Sequence, residues 1–242
     1  PIHFNTTVKN NKKMKKIILL FTILILSVNV SFSQENNFKK PDYEMIKKNI
    51  EDKSSNYYYP KLLERMISND SLLDNEDYRH LYLGYVFNPK YSSFFKSSTE
   101  EKLRKYYQNE KINEKEYDEI IKLGEQSIKE FPFDLRQMNY LAYIYHLKGD
   151  EISAKNISNR FHKIILAIMS TGDGQKCETG LHVISVSHEY VILNLFKLQN
   201  ISQSLVENCD YMAFEKGKYK VDGIYFSIEK ILADEAKLFK GK

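Results

Sequence analysis

Residues 131–169, FPFDLRQMNYLAYIYHLKGD followed directly by EISAKNISNRFHKIILAIM, decide the fold of this 242-residue chain. Apolar residues return every three or four positions on both sides of Gly149, which is the spacing of a buried helix face. Gly149 and Asp150 stand where a first helix would end and a second would begin. The stretch therefore predicts two helices that pack against each other and against the segment before them.

The spacing within this helix pair matches a tetratricopeptide unit. The small and aromatic residues that hold the relative positions of such a unit are Leu141, Ala142, Tyr145, Gly149, Asp150 and Ala154. Pro132 lies where a preceding unit would end, but that unit matches only at Gly124, and nothing continues the period past residue 170. Because a solenoid needs about three repeats to bury its faces, a repeat remnant and an ordinary helix pair both stay open.

The segment before the pair predicts a bundle of short helices, so that residues 41–170 are helical. Pro41 and Pro60 suit first helical turns, where a missing N–H costs nothing. Asp74 is expected to cap another helix, and Asn113-x-x-Glu116 has the spacing of a capping box. Each helix would place its apolar face on a shared core.

The character of the sequence changes at Thr171. Residues 171–180 hold three of the nine glycines, which predicts a shaped loop. The runs that follow are rich in β-branched and aromatic residues and predict strands at 181–187, 189–196, 211–215 and 223–229. We expect an antiparallel sheet of three or four strands within residues 181–231, resting on the helices, so the predicted fold class is α+β.

The first part of the chain has the pattern of an export signal. A basic stretch at 14–16 precedes the apolar run 17–26, and the small residues Ser31 and Ser33 are typical of a signal-peptidase site. The alternative, a membrane-spanning helix, needs about 20 apolar residues, which is more than this run provides.

We therefore expect residues 14–33 to be a cleaved signal peptide, cut between Ser33 and Gln34. Residues 1–13 would reflect a start assigned too far upstream or a fragment of a longer reading frame. The mature chain, residues 34–242, is predicted to be one domain without a membrane span, secreted or periplasmic.

The charge of the chain argues against a nucleic-acid partner. It has 36 basic and 32 acidic residues, but five of the lysines lie within the first 33 residues, which hold no acid. The mature chain is thus nearly neutral, unlike nucleic-acid-binding domains. We expect no nucleic-acid partner, and no motif predicts a cofactor.

Potentially reactive side chains concentrate in the loop 171–180 and just after it. Cys177 with His188 and Glu189 would supply the nucleophile, base and acid of a hydrolase. However, Cys177 and Cys209 are the two cysteines of the chain, and cysteines tend to pair in an oxidising compartment. A disulfide is the favoured interpretation, while two inert thiols and a catalytic thiol stay open.

The histidines of this region do not predict a metal site. On one strand, His182 and His188 would stand about 20 Å apart, and Asp173 adds no recognised ligand spacing. Ser185 and Ser187 are interpreted as residues of the same strand. We expect no metal and keep Asp173 as a ligand-binding candidate.

A second candidate lies in the aromatic stretch of residues 76–87. Tyr78 and Tyr82, together with Arg79 and His80, could line a ligand groove, since tyrosine offers both apolar area and a polar tip. The alternative is that this stripe is core whose hydroxyls reach the surface.

Several blocks of the chain together resemble one family. They are YYYPKLLERM (57–66), EDYRHLYLGYVF (76–87), FPFDLRQMNYLAYIYHLKGD (131–150), STGDGQKCETGLHVISVSHEY (170–190), CDYMAF (209–214) and GIYF (223–226). The chain is similar to domain-of-unknown-function family 4919, a family of secreted bacterial proteins. The resemblance implies export and one family-wide domain, and it carries no catalytic residue to transfer.

The function expected from these observations is binding. The chain would be an interaction module for a protein or peptide partner, with the contact region on a concave surface beside the helix pair and the loop 171–180. The alternative is an envelope hydrolase centred on Cys177, His188 and Glu189.

Overall fold

Nine α-helices and four β-strands make up the part of the chain that the structure, a computed structural model, describes: residues 38–109 and 111–240. The helices are α1 (Tyr43–Glu51), α2 (Tyr59–Ile67), α3 (Asn75–Gly84), α4 (Glu100–Tyr107), α5 (Tyr117–Glu130), α6 (Leu135–Lys148), α7 (Glu151–Met169), α8 (Val186–Leu195) and α9 (Glu229–Lys240). The strands are β1 (Leu181–His182), β2 (Asn200–Val206), β3 (Cys209–Phe214) and β4 (Gly223–Ser227). Seven of the described helices come first, and the sheet follows with α8 between β1 and β2 and α9 after β4, which confirms the α+β class.

Aspartates begin four of these helices. Asp42, Asp74, Asp134 and Asp150 each accept a hydrogen bond from the backbone N–H three residues later, at the starts of α1, α3, α6 and α7. Each bond satisfies a donor that the helix itself leaves free, a contribution of about 1 kcal/mol. The predicted cap at Asp74 is thereby confirmed, and it forms a full capping box with Asp77.

The helix pair that opened the sequence analysis is α6 and α7. Gly149 ends α6 with φ +83°, a conformation that suits glycine. On the other side of α6 lies α5, where a methyl group added to Gly124 would stand 3.2 Å from a Leu141 side-chain carbon. The missing side chain of Gly124 thus lets α5 and α6 approach closely.

Helix α3 lies at the centre of the helical part, where it contacts α1, α2 and α7. Every residue from Asp77 to Gly84 is buried, including three with polar side chains. A helix buried all round needs internal partners for those polar groups. Asp77 finds its partner locally in Asp74, whereas Arg79 and His80 also bond to residues distant in sequence.

The sheet is mixed rather than antiparallel. Its strand order is β1-β4-β3-β2, with β2, β3 and β4 antiparallel and β1 parallel to β4. The prediction of an antiparallel sheet was therefore wrong at one edge. The reason is topological: α8, β2 and β3 separate β1 from β4 along the chain, so β1 does not join β4 through a hairpin.

The predicted strand at 181–187 was right only at Leu181–His182, which form β1, and the one at 189–196 was wrong, because Val186–Leu195 form helix α8. Ser185 is extended and accepts a hydrogen bond from the Ser187 N–H, so the two serines start the helix instead of lying in the sheet. Residues His188, Glu189, Ile192 and Leu193 then form its buried face. Tertiary burial here overrides the strand preference of β-branched residues.

Two elements at the C-terminal end were missed within the expected β-rich segment 181–231. Strand β2 is exposed on both faces, with Ile201 68% exposed, so it lacks the apolar alternation that marks a strand. Helix α9 starts at Glu229 and buries Ile231, where the sequence was expected to continue as sheet.

The segments 1–13 and 14–33, and the expected cleavage between Ser33 and Gln34, lie outside the described residues. The described residues from Phe38 onward form one compact unit. Within the described ranges, no helix has the length and apolar character needed to cross a membrane.

Candidate functional site

The loop 171–180 is fastened to the sheet by a disulfide. Cys177 and Cys209 are joined, with their Cα atoms 5.7 Å apart, so the loop is linked to the first residue of β3. Cys177 therefore has no thiol to act as a nucleophile in this structure.

The loop is also held by its own hydrogen bonds. Asp173 accepts from the Gln175 N–H and from the Thr179 hydroxyl, so its carboxylate serves the loop. A methyl group on Gly172 would stand 2.2 Å from the Thr179 carbonyl oxygen, closer than atoms can pack. The Asp173 carboxylate thus has a structural role in the loop, and its role in ligand binding stays a prediction.

His188 lies at the centre of a buried hydrogen-bond chain. The Ile184 N–H donates to the Tyr82 hydroxyl (3.2 Å), and that hydroxyl donates to His188 Nδ1 (2.7 Å). His188 Nε2–H donates to the Phe133 carbonyl (2.9 Å). The chain is self-consistent only for a neutral imidazole protonated on Nε2.

Burial keeps this imidazole neutral. It lowers the pKa of His188 to about 3, with the Phe133 carbonyl acting in the opposite direction. Both ring nitrogens are occupied, and neither contacts Cys177. The three candidates Cys177, His188 and Glu189 therefore do not form a nucleophile–base set: the sulfur is oxidised and the imidazole joins α3 to α8.

Glu189 is adjacent to His188 in sequence but belongs to a different cluster, between α8 and the sheet. Its side chain is fully buried, and among the described residues neither carboxyl oxygen meets an amide, hydroxyl or amine donor. Burial raises the pKa of Glu189 to about 9, and the charge of Asp210 and a hydrogen bond with it act in the same direction. With a pKa of about 9, Glu189 is expected to keep its proton at neutral pH, beside Asp210.

The Asp210 carboxylate continues this cluster to the surface. It accepts a hydrogen bond from Gln203 Nε2 (2.8 Å), and Gln203 Oε1 accepts one from the Tyr190 hydroxyl (2.7 Å). Two neighbouring carboxyl groups of which one is protonated could exchange protons with a substrate. Neither Glu189 nor Asp210 lines one of the clefts found among the described residues.

The four candidate residues of α3, Tyr78, Arg79, His80 and Tyr82, have different surroundings. Tyr82 belongs to the His188 chain. Arg79 donates to the Ser170 hydroxyl (2.7 Å) and to the Lys39 carbonyl (2.8 Å), so it ties the start of the described chain to the end of α7. These two side chains hold the fold together.

His80 and Tyr78 are the other two ligand-binding candidates of this stretch. His80 donates from Nδ1 to the Glu76 carbonyl, accepts at Nε2 from Asn49 and stacks on Tyr57 at 3.7 Å. Burial lowers the pKa of His80. Of the four candidates in 76–87, Tyr78 alone lines a cleft.

His182 is likewise committed within the fold. Its Nδ1 lies 3.3 Å from the Tyr43 hydroxyl, and burial lowers its pKa to about 4. Across the described part of the chain, no group of three or more His, Cys, Asp or Glu residues could hold a metal ion.

Two clefts flank the helix pair, and neither was predicted from the sequence. The tyrosine cleft, of about 400 Å³, lies between α4, α5 and α6; it is lined by Tyr106, Tyr107, Tyr117, Tyr140, Tyr143 and Leu147, with Asn109, Lys111 and Ile112. The Arg160 cleft, of about 410 Å³, lies between α7 and the turn after α2; Asn69, Ser71, Tyr78, Asn156, Asn159, Arg160 and Lys163 line it.

One sequence signal could have located the Arg160 cleft. Arg160 falls three residues after Ile157 and four before Ile164, on the buried stripe of α7, where a charge is costly unless it has a role. No comparable signal in the sequence marks the tyrosine cleft. Its residues come from three helices, and the sequence alone does not show how these helices pack.

Comparison with known proteins gives one match. No curated protein and no solved structure matches the chain. A family model described as Domain of unknown function (DUF4919) matches residues 44–237, which is most of the chain. The protein therefore belongs to this family, as the resemblance of its sequence predicted.

Proposed function

We propose that this protein is a non-catalytic binding module whose partner is a peptide segment of another protein, and that the tyrosine cleft receives it. The observation that carries the proposal is the lining of that cleft. Tyrosine rings from three helices surround an open volume of about 400 Å³ beside the predicted helix pair.

The tyrosine rings of the cleft offer a peptide both apolar surface area and polar contacts. Tyr107 and Tyr140 pack edge to face with centroids 4.8 Å apart, which fixes the floor of the cleft. The Tyr140 hydroxyl is buried and has no partner among the described residues. Tyr143 is 52% exposed and Leu147 is also exposed at the rim. Rigid tyrosines of this kind bind peptides at a low cost in conformational entropy.

The hydrolase alternative has less support. A thiol hydrolase needs a free thiolate and a base that can accept its proton. Cys177 is in a disulfide, and both nitrogens of His188 are engaged in hydrogen bonds.

We also propose that the chain works outside the cytoplasm, in the periplasm or beyond the cell. The basic and apolar pattern before Ser33 supports this proposal. The disulfide is consistent with it, because such bonds persist in oxidising compartments.

Photo-crosslinking tests the proposed binding. A benzophenone amino acid replaces Tyr143, and the matched control carries it at Ile152, which is 77% exposed on α7 and outside the cleft. On irradiation, we expect the variant with the crosslinker in place of Tyr143 to form a discrete crosslinked product with its partner protein. The variant with the crosslinker in place of Ile152 should form none. The crosslinked peptide is then synthesised and its affinity measured: Tyr143→Ala should weaken binding about tenfold, while Ile152→Ala should not. Equal affinity for the two variants would reject the cleft as the binding site.

A further inference from the structure

The Arg160 cleft contains a buried cation without a counter-ion. Arg160 exposes 9% of its surface, and within the described ranges no carboxylate lies within 4.0 Å of its guanidinium. Its Nη2 donates to Asn69 Oδ1 (3.1 Å) and, more weakly, to the Ile67 carbonyl (3.4 Å). Its Nε–H is buried with no partner among the described residues.

This arrangement is costly unless something completes it. A guanidinium has five N–H donors and keeps its charge at any ordinary pH. Burying a charge without a paired anion is strongly unfavourable. Neutral amide and carbonyl oxygens compensate part of that cost. Nη1 of Arg160 donates to no described residue and is not among the buried polar atoms without a partner, so it is the guanidinium nitrogen available to an anion that enters the cleft, whereas the buried Nε–H shows how incompletely the charge is compensated.

The surrounding charge also favours an anion. Lys163 lies three residues further along α7 and lines the same cleft. The one carboxylate in the lining, Asp70, is engaged by Arg65 at 2.7 Å and by the Leu72 N–H. Asp70 thus already has a cationic partner, whereas no carboxylate among the described residues pairs with Arg160 or Lys163, so the unpaired charge of the lining is positive.

The neutral lining suits hydrogen bonding to oxygen atoms. Asn156 and Asn159 line the wall formed by α7, and Ser71 and Tyr78 line the opposite side. The volume of about 410 Å³ is that of a site for a small molecule.

We propose that the Arg160 cleft binds a small organic oxyanion, a carboxylate or phosphate ester, through the guanidinium fork of Arg160, with Lys163 as the second cation. This site is independent of the proposed peptide-binding function. Planar carboxylate and phosphate groups both fit two parallel N–H donors of arginine, a geometry that lysine cannot reproduce.

Calorimetry and thermal unfolding of the whole protein test the proposal. The probes are inorganic phosphate and succinate, each compared with sodium chloride at equal ionic strength. We expect at least one of the two anions to bind saturably and to raise the melting temperature, while chloride does neither. Binding of phosphate alone would assign the site to phosphate esters, and binding of succinate alone to carboxylates. Absence of binding by both would overturn the proposal.

Three variants locate the binding. Arg160→Met should weaken binding at least about tenfold, which corresponds to about 1.4 kcal/mol. Lys163→Met should weaken it about threefold, and it changes an exposed side chain that does not hold the fold. Lys155→Met, on the same helix but outside the cleft, should bind like the parent. Should Arg160→Met fail to fold, Lys163→Met decides: unchanged affinity in that variant would overturn the proposal.

Discussion

Replacing Glu189 with glutamine should make the protein more stable at neutral pH. The side chain is fully buried, and its protonated carboxyl contacts Asp210 between α8 and the sheet. Glutamine has nearly the same shape and can donate an N–H to the Asp210 carboxylate. It keeps the hydrogen bond and removes the group that ionises.

The size of the effect follows from the raised pKa. In the unfolded chain the Glu189 carboxyl returns to its ordinary pKa of 4.5, against about 9 in the folded protein. The folded state therefore holds a proton that the unfolded state releases between these values, and stability falls as pH rises through this window. Each pH unit costs about 1.4 kcal/mol, so by pH 7 the loss is about 3 kcal/mol.

Urea denaturation at pH 5, 6, 7 and 8 measures this loss. The free energy of unfolding of Glu189→Gln minus that of the parent should grow by about 1.4 kcal/mol for each pH unit. The matched control is Glu64→Gln, on the exposed side of α2, which should follow the parent at every pH. A difference between Glu189→Gln and the parent that stays constant from pH 5 to pH 8 would show that Glu189 is already ionised in the folded protein, and the reasoning would fail.

Three further changes test the rest of the structure. Tyr82→Phe removes the hydroxyl that bonds to His188 and should lower the free energy of unfolding by about 2 kcal/mol in urea; an unchanged midpoint would contradict the buried chain. Replacing both Cys177 and Cys209 with serine should lower the free energy of unfolding in urea by about 3–4 kcal/mol, because the disulfide closes a loop over a sequence separation of 32 residues. Gly172→Ala should lower the melting temperature by several degrees through its clash with the loop backbone, and an equal melting temperature would refute that contact.

The helical part of the fold was predictable because local signals agree with tertiary packing there. Asp74, Asp134 and Asp150 cap helices whose apolar faces repeat at the helical period, and Gly149 marks the turn between two of them. Where capping and periodicity point to the same boundary, sequence alone is sufficient.

The C-terminal half was harder to predict because the two signals conflict. Residues 181–196 are rich in β-branched residues, yet from Val186 they form α8, since its face must bury His188 against Tyr82 and Phe133. That requirement joins segments more than 50 residues apart, and no short window contains it.

The candidate sites were also only partly predictable, because their surroundings depend on contacts between distant segments. Cys177 and Cys209 were considered together because the chain has two cysteines. By contrast, Tyr78 faces a cleft while Arg79, its neighbour, holds the fold together, and only the packing of α3 distinguishes them. A charged residue on an apolar stripe, such as Arg160, is the kind of local inconsistency that deserves a search in other sequences.

The neutral histidines have a practical consequence for spectroscopy. The chain has six histidines, and burial lowers the pKa of His80, His182 and His188. In a proton NMR titration near neutral pH, the imidazole signals of His182 and His188 should therefore stay fixed. Two stationary resonances would serve as internal chemical-shift references for the folded core.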